Sequence, residues 1–246
     1  MRKKNYTVWS TALFLTSLTV GRCHVFADSI AVKDGANMTS TGSISFIVNT
    51  DPVNPVNPFN PDPDNPVTPI DPHHAKPTPG PLSIDYVSNL TFGGAKTQGS
   101  DTTYYAQLDR VKDTKGMSYD VANFVQVTDK RGNNGGWNLV VTEDKQFSHD
   151  KYELKGAVLK LANGVKNSPD EASPPIGGSE VILNPGQASD VMHALPGTGM
   201  GTWIDRFGKD LTEAKSSVSL FVPGETKKVK GEYATSLTWT LTDTPV

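Results

Sequence analysis

The sequence predicts an all-β fold, a β-sandwich-like domain behind a proline-rich N-terminal spacer, on three observations. Short runs of strand formers recur between Gly, Asn and Pro punctuation. No stretch holds a three-to-four apolar period over a dozen residues. And 11 of the 18 prolines lie between Pro52 and Pro81.

The elements follow in order. Residues 1–27 read as a signal peptide: Arg2, Lys3 and Lys4 precede the uncharged stretch Val8 to Val20, shorter than the about 20 residues a membrane span needs, and Val25-Phe26-Ala27 offers a cleavage site. Cys23, the only cysteine, follows Arg22 where lipid attachment needs a small residue, so the mature chain is expected to carry no cysteine and no membrane span. Residues 28–50 hold one candidate strand, in which Ile44, Phe46 and Val48 alternate with Ser45, Ile47 and Asn49. A lone strand is unstable in water, so it is expected to return and pair with the later domain, the alternative being a disordered lead-in.

Residues 51–81 carry proline at nearly every third position, the spacing of a polyproline II helix. At about 3.1 Å per residue they could extend on the order of 90 Å as a semi-rigid spacer. Residues 82–246 form the expected domain, with strands at Leu82 to Tyr86, Val125 to Val127, Trp137 to Val141, Val158 to Leu161, Val181 to Leu183, Ser219 to Val222 and Leu237 to Leu241. Asp190 to Leu195 and Trp203 to Leu211 are at most short helices.

Charge excludes one class of partner. The net charge of -3 becomes -7 once Arg2, Lys3, Lys4 and Arg22 leave with the leader, so nucleic acid, whose affinity rests on Lys and Arg neutralising phosphates, is not expected. The cluster Lys227, Lys228 and Lys230 reads as a solvated turn.

Two segments repeat one pattern: Gly136-Trp137-Asn138-Leu139 and Thr238-Trp239-Thr240-Leu241. In a strand, the period of two sends Trp and Leu to one face, making each pair a hydrophobic anchor. Thr238, Thr240 and Thr242 then occupy the other face. With Thr41 to Phe46, the Asp-Pro/Asn-Pro spacer, Pro79 to Tyr86, Asn123 to Gly132, Gly201 to Gly208 and Leu237 to Pro245, this ordered set resembles the WxL-domain proteins of Gram-positive surfaces over effectively the whole mature chain.

The resemblance implies a secreted cell-surface protein held non-covalently on peptidoglycan through its C-terminal domain. It also implies assembly with other surface proteins encoded alongside, including membrane-anchored ones, and one alternative is that the chain serves chiefly as a structural subunit of such a complex. Its motif positions here are Trp137, Leu139, Trp239 and Leu241, either as peptidoglycan contacts, since an indole face can stack on a sugar, or as core. Trp203, inside a glycine-rich stretch, is equally a candidate exposed contact and a plug at the end of the sandwich.

Other signals are set aside. Leu195-Pro196-Gly197-Thr198-Gly199 matches a sortase pattern, but 47 residues follow with early charges, so a turn is expected. His73, His74, His149 and His193 have no metal-binding spacing, and neither a metal nor a cofactor is expected. For a wall hydrolase, a minor alternative, the available carboxylate pairs are Glu143 with Asp150 and Asp170 with Glu171. No nucleophile elbow accompanies them, and no enzyme is expected.

Overall fold

A computed structural model describes residues 37–169 and 173–244. The leader, Cys23 and the Asp170/Glu171 pair lie outside the described residues. The chain divides into two units, Met1–Ile44 and Ser45–Val246. In the first, residues 37–44 carry no helix or strand and are exposed.

Among its described residues the second unit contains sixteen strands and one helical turn. In chain order they are β1 (Thr68–Pro69), β2 (Leu82–Val87), β3 (Thr102–Tyr105), β4 (Asp109–Lys112), β5 (Ser118–Val121), β6 (Phe124–Asp129), β7 (Trp137–Glu143) and β8 (Ser148–His149). There follow β9 (Tyr152–Glu153), β10 (Val158–Ala162), β11 (Gly164–Asn167), β12 (Glu180–Leu183), β13 (Ala188–Ala194), β14 (Gly201–Phe207), α1 (Leu211–Ala214), β15 (Val218–Val222) and β16 (Leu237–Thr242). Three larger sheets, ordered β11-β14-β6-β2, β12-β10-β15-β3 and β13-β7-β16, surround one core, and every pairing is antiparallel. The expected all-β class is what forms.

Strand β6 shows how the layers are arranged. Val125 and Val127 point into the main core with Trp137, Leu139, Leu159, Leu161 and Leu220. Phe124, on the opposite face, joins a second core with Val56, Val67, Tyr86, Val111, Val121 and Ile204. All six residues of β6 are therefore buried. The second face is covered by the small sheet β1-β4-β5 and by the proline-rich segment itself.

That covering corrects the spacer expectation. Between its prolines the segment places Val56 and Val67 at 2% and 4% exposure, and the Arg206 guanidinium lies 5.3 Å over the Phe59 ring. Gln126, fully buried on β6, acts as a surrogate backbone partner: its Oε1 accepts from Val56 N at 2.9 Å and its Nε2 donates to Asn54 O at 3.2 Å. The Pro58 carbonyl accepts from Asn167 Nδ2 at 3.1 Å and Arg206 Nη1 at 3.3 Å. Proline removes donors but leaves carbonyls, and side chains of the sheet satisfy these. Each apolar side chain so buried contributes about 1.5–3 kcal/mol, which the proline rhythm alone does not reveal.

The same amide also reaches Asp85 Oδ2 at 3.0 Å, beside Thr128 Oγ1 at 2.6 Å, while Ser83 Oγ donates to Asp85 Oδ1 at 2.7 Å. Burial raises the Asp85 carboxyl above the usual range, and these three donors oppose that shift. Gln126→Ala leaves the Val56 N–H unpaired under the second core. It is expected to cost about 1–3 kcal/mol and to speed amide exchange across residues 52–69, read by hydrogen-exchange mass spectrometry. Unchanged exchange there would show that the apolar contacts alone hold the segment.

Three further corrections concern strands. Residues 45–50 carry no strand, and Phe46, Ile47 and Val48 are 89%, 92% and 53% exposed, so this part of the early segment does not pair back onto its own domain. Asp190 to Leu195 falls largely in β13, where a register shift between Asp190 and Met192 breaks the alternation and buries Val191 and Met192 together. Trp203 begins no helix but lies within β14, whose two faces are buried in different cores and so lack a polar stripe.

Candidate functional site

The two Trp-Xaa-Leu motifs are neighbours in one sheet. β7 runs between β13 and β16, with Leu139 directly opposite Leu241 and Val141 opposite Trp239. On the other side, Trp137 faces Ala194 and Leu139 faces Met192. Because alternate residues share a face, Trp137, Leu139, Val141, Leu237, Trp239 and Leu241 form one inward-facing apolar layer. Trp137 and Leu139 are fully buried. Trp239 and Leu241 are half-buried against the same core because β16 is the edge strand.

A glycine loop seals this layer. Trp137 Nε1 donates to the Gly199 carbonyl at 2.8 Å, and Trp203 Nε1 donates to the next carbonyl, Met200, at 3.1 Å. Two tryptophans on different sheets thus hold consecutive carbonyls of one loop. Trp203 is only 3% exposed, so it is core and not an exposed contact. Gly199 has φ +74°, and a Cβ there would lie 2.2 Å from Ala194 Cβ and 2.8 Å from Trp137 Nε1. Glycine is required both for conformation and for space. The sortase-like pentapeptide is part of this lid: Thr198 N and Oγ1 both donate to Leu195 O at 2.9 Å, closing a turn, and Gly199 is buried. At the start of β7, Arg131 Nη2 bridges Asp129 Oδ2 at 2.8 Å and the Gly136 carbonyl at 2.6 Å, fixing where the strand begins.

The inward layer ends in Glu143, which is 1% exposed and has no hydrogen-bond partner on either carboxylate oxygen. Desolvation raises its pKa to about 7. Asp150, its supposed catalytic companion, has an 83% exposed side chain in a turn. A substrate in contact with Asp150 has no access to Glu143, and this pair forms no glycosidase cleft. The buried Asp205 of β14 is likewise raised, to about 6, by burial, and the Lys166 ammonium at 3.0 Å opposes the shift. Among the described residues, no group of three metal-ligating side chains converges.

The opposite face of the sheet is polar. Thr238, Thr240 and Thr242 are exposed and stand opposite Thr142, Val140 and Asn138. Sequence reasoning placed these threonines outward, but it missed that the two motifs are adjacent and so build one continuous hydroxyl-bearing face.

The fold and site define an antiparallel all-β sandwich in which two Trp-Xaa-Leu strands pair beneath a glycine-loop seal. The chain matches the family described as WxL domain surface cell wall-binding over residues 33–245, and it belongs to that family. The matched region includes the proline-rich segment, in agreement with its packing onto the sheet. Comparison with curated proteins and with solved structures gave no match. Membership makes this a cell-surface, wall-attaching protein. Among the described residues no helix is long and apolar enough to cross a membrane.

Proposed function

We propose that this domain holds the protein on Gram-positive peptidoglycan without a covalent bond, after export directed by residues 1–27, and that the outward face of β7 and β16 makes the contact. The observation that carries this reading is the match to a wall-binding family over residues 33–245. Burial of Trp137, Leu139 and Trp203 argues against these side chains as contacts, and the half-buried Trp239 and Leu241 pack against the same core. The motif therefore acts by holding strands in register, so that Thr238, Thr240 and Thr242 present hydroxyls at the two-residue strand spacing of about 6.8 Å. Hydroxyls that both donate and accept suit a polymer of amides and sugar hydroxyls.

Sedimentation with purified sacculi tests this. The parent protein is expected to pellet and to be released by soluble wall fragments. Thr238→Glu combined with Thr240→Glu is expected to keep the native circular dichroism spectrum and lose at least about tenfold in affinity, or about 1.4 kcal/mol. A parent that stays in the supernatant overturns peptidoglycan attachment, and a double variant that pellets like the parent overturns this face as the contact.

A further inference from the structure

We infer that β16 is an acceptor edge and that residues 44–49 of a second copy of this chain are the strand it accepts, so that copies join head to tail by strand addition. The inference does not rest on the wall-binding reading.

The first observation is the edge itself. β16 pairs with β7 on one side, and among the described residues no strand or loop pairs with its other side. Natural sheets protect such edges with charge, proline, bulges or covering segments, because unpaired N–H and C=O groups recruit foreign strands. β16 has none of these devices. It reads Leu-Thr-Trp-Thr-Leu-Thr, six residues in unbroken register with β7 and without a charge. The edge of β2 shows the contrast, since Thr78 N donates to Ile84 O at 2.9 Å and Ile84 N donates to Thr78 Oγ1 at 2.8 Å, closing it from within the chain. Leu237, Trp239 and Leu241 are only half-buried, and β2 of the facing sheet approaches β16 without pairing with it.

The second observation is a strand without a sheet. Residues 44–49 read Ile-Ser-Phe-Ile-Val-Asn, six residues, uncharged, free of Gly and Pro, with Ile44, Phe46 and Val48 at period two. Phe46 and Ile47 are 89% and 92% exposed, and among the described residues of its unit nothing forms a backbone hydrogen bond to residues 45 to 48. An exposed apolar segment of strand propensity needs a partner, and this one has the length and the alternation of the open edge. Added to β16, it would place Ile44, Phe46 and Val48 beside Leu237, Trp239 and Leu241, with Ser45 on the face of the threonines. Donor and acceptor are different surfaces of one chain, so the contact is heterologous and can propagate beyond a dimer.

Single-thiol variants test the contact in a Cys23→Ser background, which leaves no other cysteine. Ser45→Cys marks the donor, and Thr238→Cys, Thr240→Cys and Thr242→Cys mark the acceptor, so that one acceptor thiol falls opposite the donor thiol in any register of this parity. On mild oxidation, mixtures of donor and acceptor variants are expected to give disulfide dimers that neither variant gives alone. In parallel, light scattering on the full chain at high micromolar concentration is expected to show at least a doubling of mass. Phe46→Asp with Val48→Asp is expected to abolish the doubling without changing the circular dichroism spectrum, because both side chains are free of the core. A parent that stays monomeric overturns the inference. So do dimers that form equally from one variant alone, and so does a Ser45→Cys/Thr240→Cys double variant that closes within a single chain.

Discussion

Trp137→Ala is expected to destabilise the domain by about 3–5 kcal/mol, read as the shift in denaturant midpoint at unchanged slope. The indole is fully buried between Ala194 and the Gly199 loop, and its N–H satisfies the Gly199 carbonyl. Truncation therefore opens a cavity and leaves a loop carbonyl without its donor. With marginal stabilities of about 5–15 kcal/mol, the variant is expected to lose wall attachment only to the extent that it unfolds at the assay temperature. Trp137→Phe separates the two effects, keeping most of the apolar volume and losing the hydrogen bond, and is expected to fall between parent and Trp137→Ala. The half-buried Trp239 should cost less on truncation, because water already reaches one side of β16. A Trp137→Ala protein with parental midpoint and lost wall binding would show that the indole acts on the ligand and not on the fold.

Stability is expected to fall as pH rises from about 4.5 to about 7, and Glu143→Gln is expected to remove much of that slope. Glu143 ionises near pH 4.5 in an unfolded chain and at about 7 when folded. Below the lower value both states are protonated and the residue has no effect. Between the two values only the unfolded state releases its proton, which favours unfolding, and above about pH 7 the cost is constant at about 3 kcal/mol. Because the raised carboxyl penalises the folded state, Glu143→Gln should match the parent at pH 4 and exceed it by about 3 kcal/mol at pH 8. Asp205, raised to about 6, adds a slope of the same sign that the difference between parent and variant cancels. Chemical denaturation at the two pH values checks this, and an equal gain at both would assign the effect to packing.

The sequence was most informative where one face of a strand is polar. Trp137 to Val141 and Leu237 to Leu241 alternate cleanly because their sheet has a core face and a solvent face, so both strands were legible, while their tryptophans stayed open between contact and core. β14 and β6 were harder to read because they are buried on both sides, one side facing the main core and the other the proline-rich segment. The strands β3, β4 and β5 were missed altogether, being four residues each with little aliphatic content to mark them. Trp203 was read as equally open and buried, since glycine before it says nothing of what lies above it.

By itself, the order of residues determined the all-β class, the two Trp-Xaa-Leu strands, the family and the outward threonines, because these depend on period and on local propensity. Tertiary structure decided what those elements meet. It set the two motifs side by side, made the glycine loop a lid over two indoles, and folded the proline-rich segment into a layer of the domain. Among the described residues, it also left one side of β16 and residues 45–49 without a strand partner. The reason is physical: a strand's own pattern shows which of its faces avoids water, whereas the partner that covers that face is selected by contacts among residues far apart in the chain.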